Sequence, residues 1–255
     1  MDTIQEILRD VAAGTLDPEL ARTKIAAVRA RDEPIDEPAS AGPASEILIK
    51  AGAARLIVIG DPEVAEAAAE GRHRMQRQGD TLVVSTNIGE GGFSTTPPRS
   101  VLLNWLTSVV DRAGQTLTVR VNPAIPVRVL IVGGSLDLTG VTAGAFVGVE
   151  AGAARIEGGS GPLQLDVVSG SARVDWTFSG VSEVRADMGS AQIRVRPESD
   201  VRITAEAVLG QATVLTDEAM HKSAGDGATA EVVCGAGTGT LHVAARMGSV
   251  QVTLG

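Results

Sequence analysis

Apolar and polar positions alternate in short runs along most of this chain, and the runs recur on a fixed phrase. Glycine, a small residue, an apolar residue, a polar one and a large aliphatic appear as Gly134-Ser135-Leu136-Asp137-Leu138, Gly152-Ala153-Ala154-Arg155-Ile156, Gly170-Ser171-Ala172-Arg173-Val174 and Gly189-Ser190-Ala191-Gln192-Ile193. Their glycines are 18, 18 and 19 residues apart. Earlier and later copies start at Gly52, Gly210 and Gly248. The last lies 38 residues beyond its predecessor, which reads as two periods of 19. Alternation of period two predicts strands, and a fixed period predicts a repeat architecture.

Aligned on glycine, the copies agree by column. Two positions on stand Ala54, Leu136, Ala154, Ala172, Ala191, Ala212 and Val250. Four positions on stand Leu56, Leu138, Ile156, Val174, Ile193, Val214 and Val252. Between them Arg55, Asp137, Arg155, Arg173, Gln192, Thr213 and Gln251 are all polar. Three positions before the glycine the column is apolar again: Ile49, Ile131, Val149, Val167, Ala186, Ala207 and Ala245. The two apolar sets have opposite parity, so alternation slips by one residue near the glycine. A corner or bulge produces such a slip, and glycine tolerates the positive φ involved.

These columns predict a mainly β fold, a β-solenoid of about 18–19 residues per rung, with three short strands and corners in each rung and rungs stacked about 4.8 Å apart. A β-sandwich with Gly-Ser turns is the competing reading. The stretch Arg72 to Arg77, the turn Gly79-Asp80 and Thr81 to Val84 predict a hairpin. The polar, glycine-containing residues 216–228 predict a loop, and residues 87–116 interrupt the repeat.

The first 31 residues have a different period. Ile4, Ile7, Leu8 and Val11 share one helical face, Gly14 suits a stop, and Asp17-Pro18 suits a new start before Leu20, Ile25 and Val28. A small helical hairpin over 1–31 is expected, then a linker over 32–45 carrying Pro34, Pro38 and Pro43 among acidic residues, then a β-repeat domain over 46–255. So short a hairpin has too little core to stand alone, and its apolar face around Ile4, Leu8 and Leu20 must pack on something.

Composition sharpens this picture. The chain of 255 residues is 44% hydrophobic but only 2% aromatic, with 30 glycines and no tyrosine, which suits a narrow aliphatic core. A net charge of −9 opposes a nucleic-acid partner or adsorption to anionic lipid. The single cysteine, Cys234, excludes an internal disulfide scaffold. The acidic, amphipathic start does not resemble a signal peptide, and no apolar run reaches the length of a transmembrane helix, so a cytoplasmic location is the expectation.

The segment Gly14-Thr15-Leu16-Asp17-Pro18-Glu19, the proline-rich linker and repeats such as Ile47-Leu48-Ile49-Lys50-Ala51-Gly52-Ala53-Ala54-Arg55-Leu56 together resemble a bacterial group known as putative adhesins with β-strand repeats, whose members carry an N-terminal SHOCT-like hairpin. The run Leu117 to Pro126 into Gly133-Gly134 is similar to an actinobacterial branch of that group. More distantly, the pattern resembles LiaF/LiaX-type and bactofilin-type β-repeats. The resemblance brings no catalytic residues with it.

Chemistry read directly from residues is sparse. Gly235-Ala236-Gly237-Thr238-Gly239 imitates part of a dinucleotide loop, but strand-like Thr240-Leu241-His242-Val243 follows where a helix is required. The glycines between Gly89 and Gly92 lack the lysine of a phosphate loop. His73, His221 and His242 lie far apart, with no ligand spacing for a metal. Cys234 reads as a small buried apolar residue, and Asp137, Asp166, Asp175 and Asp187 share no column. No catalytic, cofactor-binding or metal-binding residue is assigned, and no enzyme activity is expected.

The candidate interaction residues are Leu102, Leu103, Trp105 and Leu106, within an apolar run that either caps the repeat or docks on a partner, together with Ile4, Leu8 and Leu20 of the hairpin. The functional expectation is a non-enzymatic scaffold that forms homo-oligomers or polymers. A binding or sensing module for a cell-envelope component or peptide is the alternative.

Overall fold

A computed structural model of the protein describes residues 42–86, 116–216, 220–224 and 229–255. All of them belong to the compact unit Ser40–Gly255. They form strands β1 (Glu46–Gly60), β2 (Ala67–Glu70), β3 (Arg74–Gln78), β4 (Thr81–Ser85), β5 (Thr116–Val121), β6 (Val127–Thr139), β7 (Ala145–Gly161), β8 (Leu163–Phe178), β9 (Val181–Ala186), β10 (Ser190–Val195), β11 (Val201–Ala207), β12 (Gln211–Leu215), β13 (Met220–Ala224), β14 (Thr229–Cys234), β15 (Gly239–Ala245) and β16 (Ser249–Leu254). There is no helix among the described residues. The helical hairpin expected over 1–31 lies outside them.

The strands build one 16-stranded mixed sheet, which overturns the predicted β-solenoid. Three findings do so. The strands β1, β6, β7 and β8 are 13 to 17 residues long and run straight through the glycine phrase, where short strands separated by corners were expected. Four pairs are antiparallel: β2 with β5, β3 with β4, β11 with β14 and β12 with β13. The order of strands also departs from the order of the chain, because β16 lies between β10 and β12, and β15 between β9 and β11. Gly248 therefore does not sit two periods beyond Gly210 but between Gly189 and Gly210. The expected hairpin around Gly79 is the antiparallel pair β3–β4, and part of the expected loop 216–228 is strand β13.

The apolar columns nevertheless stand in register. Leu136 pairs with Ala154, Ala154 with Ala172, Ala172 with Ala191, Ala191 with Val250, and Val250 with Ala212. The first copy is shifted by two: Leu56 pairs with Leu136, and Ala54, not Gly52, faces Gly134. The parity slip is a backbone event. In β7, Ala145, Val147 and Val149 are buried before the glycine, and Ala154 and Ile156 after it. Gly134, Gly152 and Gly170 absorb the change at φ of +90°, +130° and +153°. The backbones also approach too closely for a side chain, since a methyl on Gly152 would come within 2.3 Å of the Gly134 carbonyl oxygen.

Both halves of the long strands feed one buried cluster. It is filled by Val, Ile, Leu and Ala, each large aliphatic contributing roughly 1.5–3 kcal/mol on burial. The main exception is Trp176, fully buried with its Nε1–H donating to the Gly161 carbonyl oxygen at 2.9 Å. Its ring lies against Gly159, where the β7–β8 register shifts by one residue, so this bulge makes room for the indole.

Candidate functional site

The outward face of the glycine phrases carries two polar columns side by side. The residue after each glycine forms the line Ser135, Ala153, Ser171, Ser190, Ser249 and Gln211 across β6, β7, β8, β10, β16 and β12. Two positions on, the parallel line is Asp137, Arg155, Arg173, Gln192, Gln251 and Thr213. Because the first line is short everywhere except Gln211, the surface there is hollowed. One concavity of about 350 Å³ extends from Ser135 to Gln192, and a second of about 320 Å³ from Ser190 to Gln251. Both are lined by Ser190 and Gln192, so they form one groove running across the strands.

The charges of the groove are mostly paired. Arg55 donates to Asp137 at 3.2 Å and Arg155 to Glu157 at 2.7 Å. The bond to Glu157 raises the Arg155 pKa above its usual range. Arg173 instead donates to the amide oxygen of Gln192 at 3.1 Å and has no ion-pair partner among the described residues. The groove also presents serine and threonine hydroxyls and glutamine amides, each able to donate and accept, beside apolar Ala153 and Leu215.

Of the residues weighed in the sequence, Asp137 lines the groove. Leu102, Leu103, Trp105, Leu106, Ile4, Leu8 and Leu20 lie outside the described residues. The Gly235–Gly239 segment is a turn folded onto Asp200, whose carboxylate accepts from the Thr238 hydroxyl at 2.6 Å and the Thr238 N–H at 3.2 Å. Cys234 is half-buried and donates to the Ser199 carbonyl at 3.5 Å. Burial first, and the charge of Asp200 second, push its thiol up, away from the reactive thiolate. His242 lies 3.2 Å from Glu206, and His73 Nδ1 lies 2.9 Å from the Gly71 carbonyl oxygen. Among the described residues no group of His, Cys, Asp and Glu could hold a metal.

The four aspartates do not converge. Asp137 pairs with Arg55 and Asp175 with Arg196, while Asp166 and Asp187 precede their glycines, away from the groove. The serine line was visible in the phrase itself, but reading it as turn residues concealed it. Only the cross-strand register shows the serines side by side.

A separate apolar ridge marks the turns before the later glycines. Met188, Met247 and Leu209 are 59%, 57% and 76% exposed. The bonds from the N–H of Met247 to the Asp187 carbonyl and from the N–H of Leu209 to the Arg246 carbonyl, both 2.7 Å, place the three on successive layers.

No protein-family model matches the chain, and no curated protein matches it. Among solved structures, a putative cell adhesion protein from Clostridium sporogenes ATCC 15579 is similar over 83% of this chain and 94% of its own, at 12% identity and a TM-score of 0.36. A likeness of that depth carries no argument about function.

Proposed function

We propose that this protein is a non-enzymatic binding body, and that its groove holds an extended, hydroxylated polymer such as a polysaccharide strand. The observation that carries this reading is the continuity of the groove through Ser190 and Gln192 across six neighbouring strands. At about 4.8 Å per strand the lines span roughly 24 Å, longer than a compact ligand needs. The serine and threonine hydroxyls and the glutamine amides can each donate and accept, which suits hydroxyl groups, and among the described residues lining the groove only the Arg173 guanidinium lacks an ion-pair partner, too little for a phosphate backbone. No aromatic side chain lines the groove among the described residues, so affinity comes from many weak hydrogen bonds and grows with ligand length.

Titration with neutral oligosaccharides of increasing length tests the reading. Affinity is expected to rise until the ligand fills the groove, and Ser190→Leu, which plugs the junction of the two concavities, is expected to abolish binding without lowering the melting temperature. Length-independent binding, binding indifferent to Ser190→Leu, or no binding across neutral and acidic glycans sinks it.

A second reading, a self-associating scaffold, is favoured by the exposed ridge of Met188, Met247 and Leu209. It is separable by oligomeric state, as set out below.

A further inference from the structure

On the outward face of the other half of the long strands, β7 carries a glycine that its backbone does not require. Gly148 is absent from the positive-φ positions, yet it sits mid-strand, where glycine is unfavourable. What it provides is space. Its cross-strand neighbours are Leu130 on β6 and Asp166 on β8, and Phe146 and Glu150 flank it along β7. Around it lies a notch of about 220 Å³, floored by Leu130, Val132, Phe146 and Val168 and bordered by Glu150 and Asp166.

The volume is below the roughly 300–1,000 Å³ typical of sites for drug-sized molecules. It suits one long side chain or a small molecule. The floor calls for an apolar stem, and the border calls for a positive charge. Asp166 is half-buried in the notch, and the nearby guanidinium of Arg185 is engaged by Glu183 at 2.5 Å. Loss of hydration, the largest effect, raises the Asp166 pKa; Glu183 and Asp187 raise it further, and Arg185 and a hydrogen bond from the Gln164 side chain oppose them. Also on this face, toward β1, are Lys50 on β1, in register with Leu130, and Arg128 on β6, which pairs with Glu46 at 3.0 Å and lies over the Phe146 ring at 4.7 Å; farther off, beyond β9, are His242 and Glu206. Lys50 and Arg128 lie on the side away from Asp166; on its other side Arg185 of β9 stands in register with it, but the carboxylates Glu150, Asp166, Glu183 and Asp187 outnumber that one cation, so the stem lies along Leu130 and Phe146 and the bound cation faces β8.

We propose that the Gly148 notch is a binding site for an alkylammonium group, presented by a lysine side chain of a partner or by a free aliphatic amine. The site is independent of the polar groove and of any ligand held there.

Amide chemical shifts of the ¹⁵N-labelled full-length protein, followed during titration with n-butylammonium and with n-butanol, test this. Shifts are expected to centre on Gly148, Leu130 and Asp166, with the amine bound about tenfold more tightly than the alcohol, as one charge-assisted hydrogen bond would give. Asp166→Asn is expected to erase that preference. Gly148→Leu is expected to abolish binding of both, and Gly148→Ala to weaken it. A methyl on Gly148 meets the flexible tip of Leu130 at 2.9 Å and the Phe146 ring in ordinary contact at 3.7 Å, so Gly148→Ala is expected to keep the wild-type melting temperature and to show that weakened binding is not loss of fold.

A blocked tripeptide Ala-Lys-Ala distinguishes the two sources. Tighter binding than butylammonium assigns the site to a lysine of a partner chain, and equal or weaker binding assigns it to a free amine. Equal affinity for amine and alcohol, an unchanged preference in Asp166→Asn, or full binding by Gly148→Leu overturns the proposal.

Discussion

Gly248 stacks on Gly189, and a methyl group on the first would come within 2.2 Å of the carbonyl oxygen of the second. The obstacle is backbone rather than a side-chain tip, so neither layer can yield cheaply. Gly248→Ala is expected to destabilise the fold by roughly 3 kcal/mol or more, as forced core overlaps do. Gly158, at φ +65° with nothing within 4 Å of where a β-carbon would stand, provides the contrast: Gly158→Ala should cost only about 1 kcal/mol. Urea denaturation of the two variants measures the difference, and equal losses would remove Gly248 from its place in the stack.

Val174 and Arg173 are adjacent on β8 but face opposite ways, one buried and one exposed. Val174→Asp places an unpaired carboxylate in the aliphatic cluster and should prevent stable folding or cost several kcal/mol. Arg173→Asp loses one exposed hydrogen bond to Gln192 and should change stability by about 0.5 kcal/mol or less. Thermal melts of both variants check the inward and outward faces of the strand.

Two aspartates should give pH signatures of opposite sign. Asp200 has its pKa lowered, first by the Thr238 hydroxyl and then by backbone N–H groups of the turn. Its contribution is present above the ordinary aspartate pKa and is lost as pH falls through the lower folded value. Asp166 has a raised pKa, so the folded state holds its proton more tightly than the unfolded state does. Stability therefore declines as pH rises from the ordinary aspartate value through the folded one. In denaturation series between pH 2 and 7, Asp200→Asn should flatten the acid limb, and Asp166→Asn should remove a decline at higher pH.

The ridge of Met188, Met247 and Leu209 separates a scaffold from a monomeric binding body. If copies associate there, Met188→Ser with Leu209→Ser should lower the mass seen by light scattering and leave the melting temperature nearly unchanged, because both side chains are exposed. Removing residues 1–45 should leave that association intact. Monomers in the full chain, the truncated chain and the double variant would end the scaffold reading.

The columns were legible because they are local. Ala154, Ile156, Ala172 and Val174 repeat within one strand length, and the parity slip at Gly152 and Gly170 shows in the same few residues. The order of layers was not legible, since nothing near Gly210 says that Gly248 will come between it and Gly189. That is decided by strand pairing over long separations, and an even spacing favoured a simpler winding. The antiparallel strand β13 was hidden for a related reason: Met220 to Ala224 lies within a mostly polar, glycine-containing stretch, and pairing with β12 rather than its own pattern makes it a strand. The groove needed both kinds of information, the small residue after each glycine and the register that aligns Ser171, Ser190 and Ser249.

The insertion of β15 and β16 between older neighbours bears on how the chain is made. A chain that ends at Gly237 lacks the pairings that β15 gives to β9 and β11 and that β16 gives to β10 and β12. Four strand edges then stand open at once, each a template for another nascent chain. One segment, Gly239–Leu254, fills both openings, so a transcript cut short before it is expected to yield a sticky fragment rather than a smaller version of the same protein.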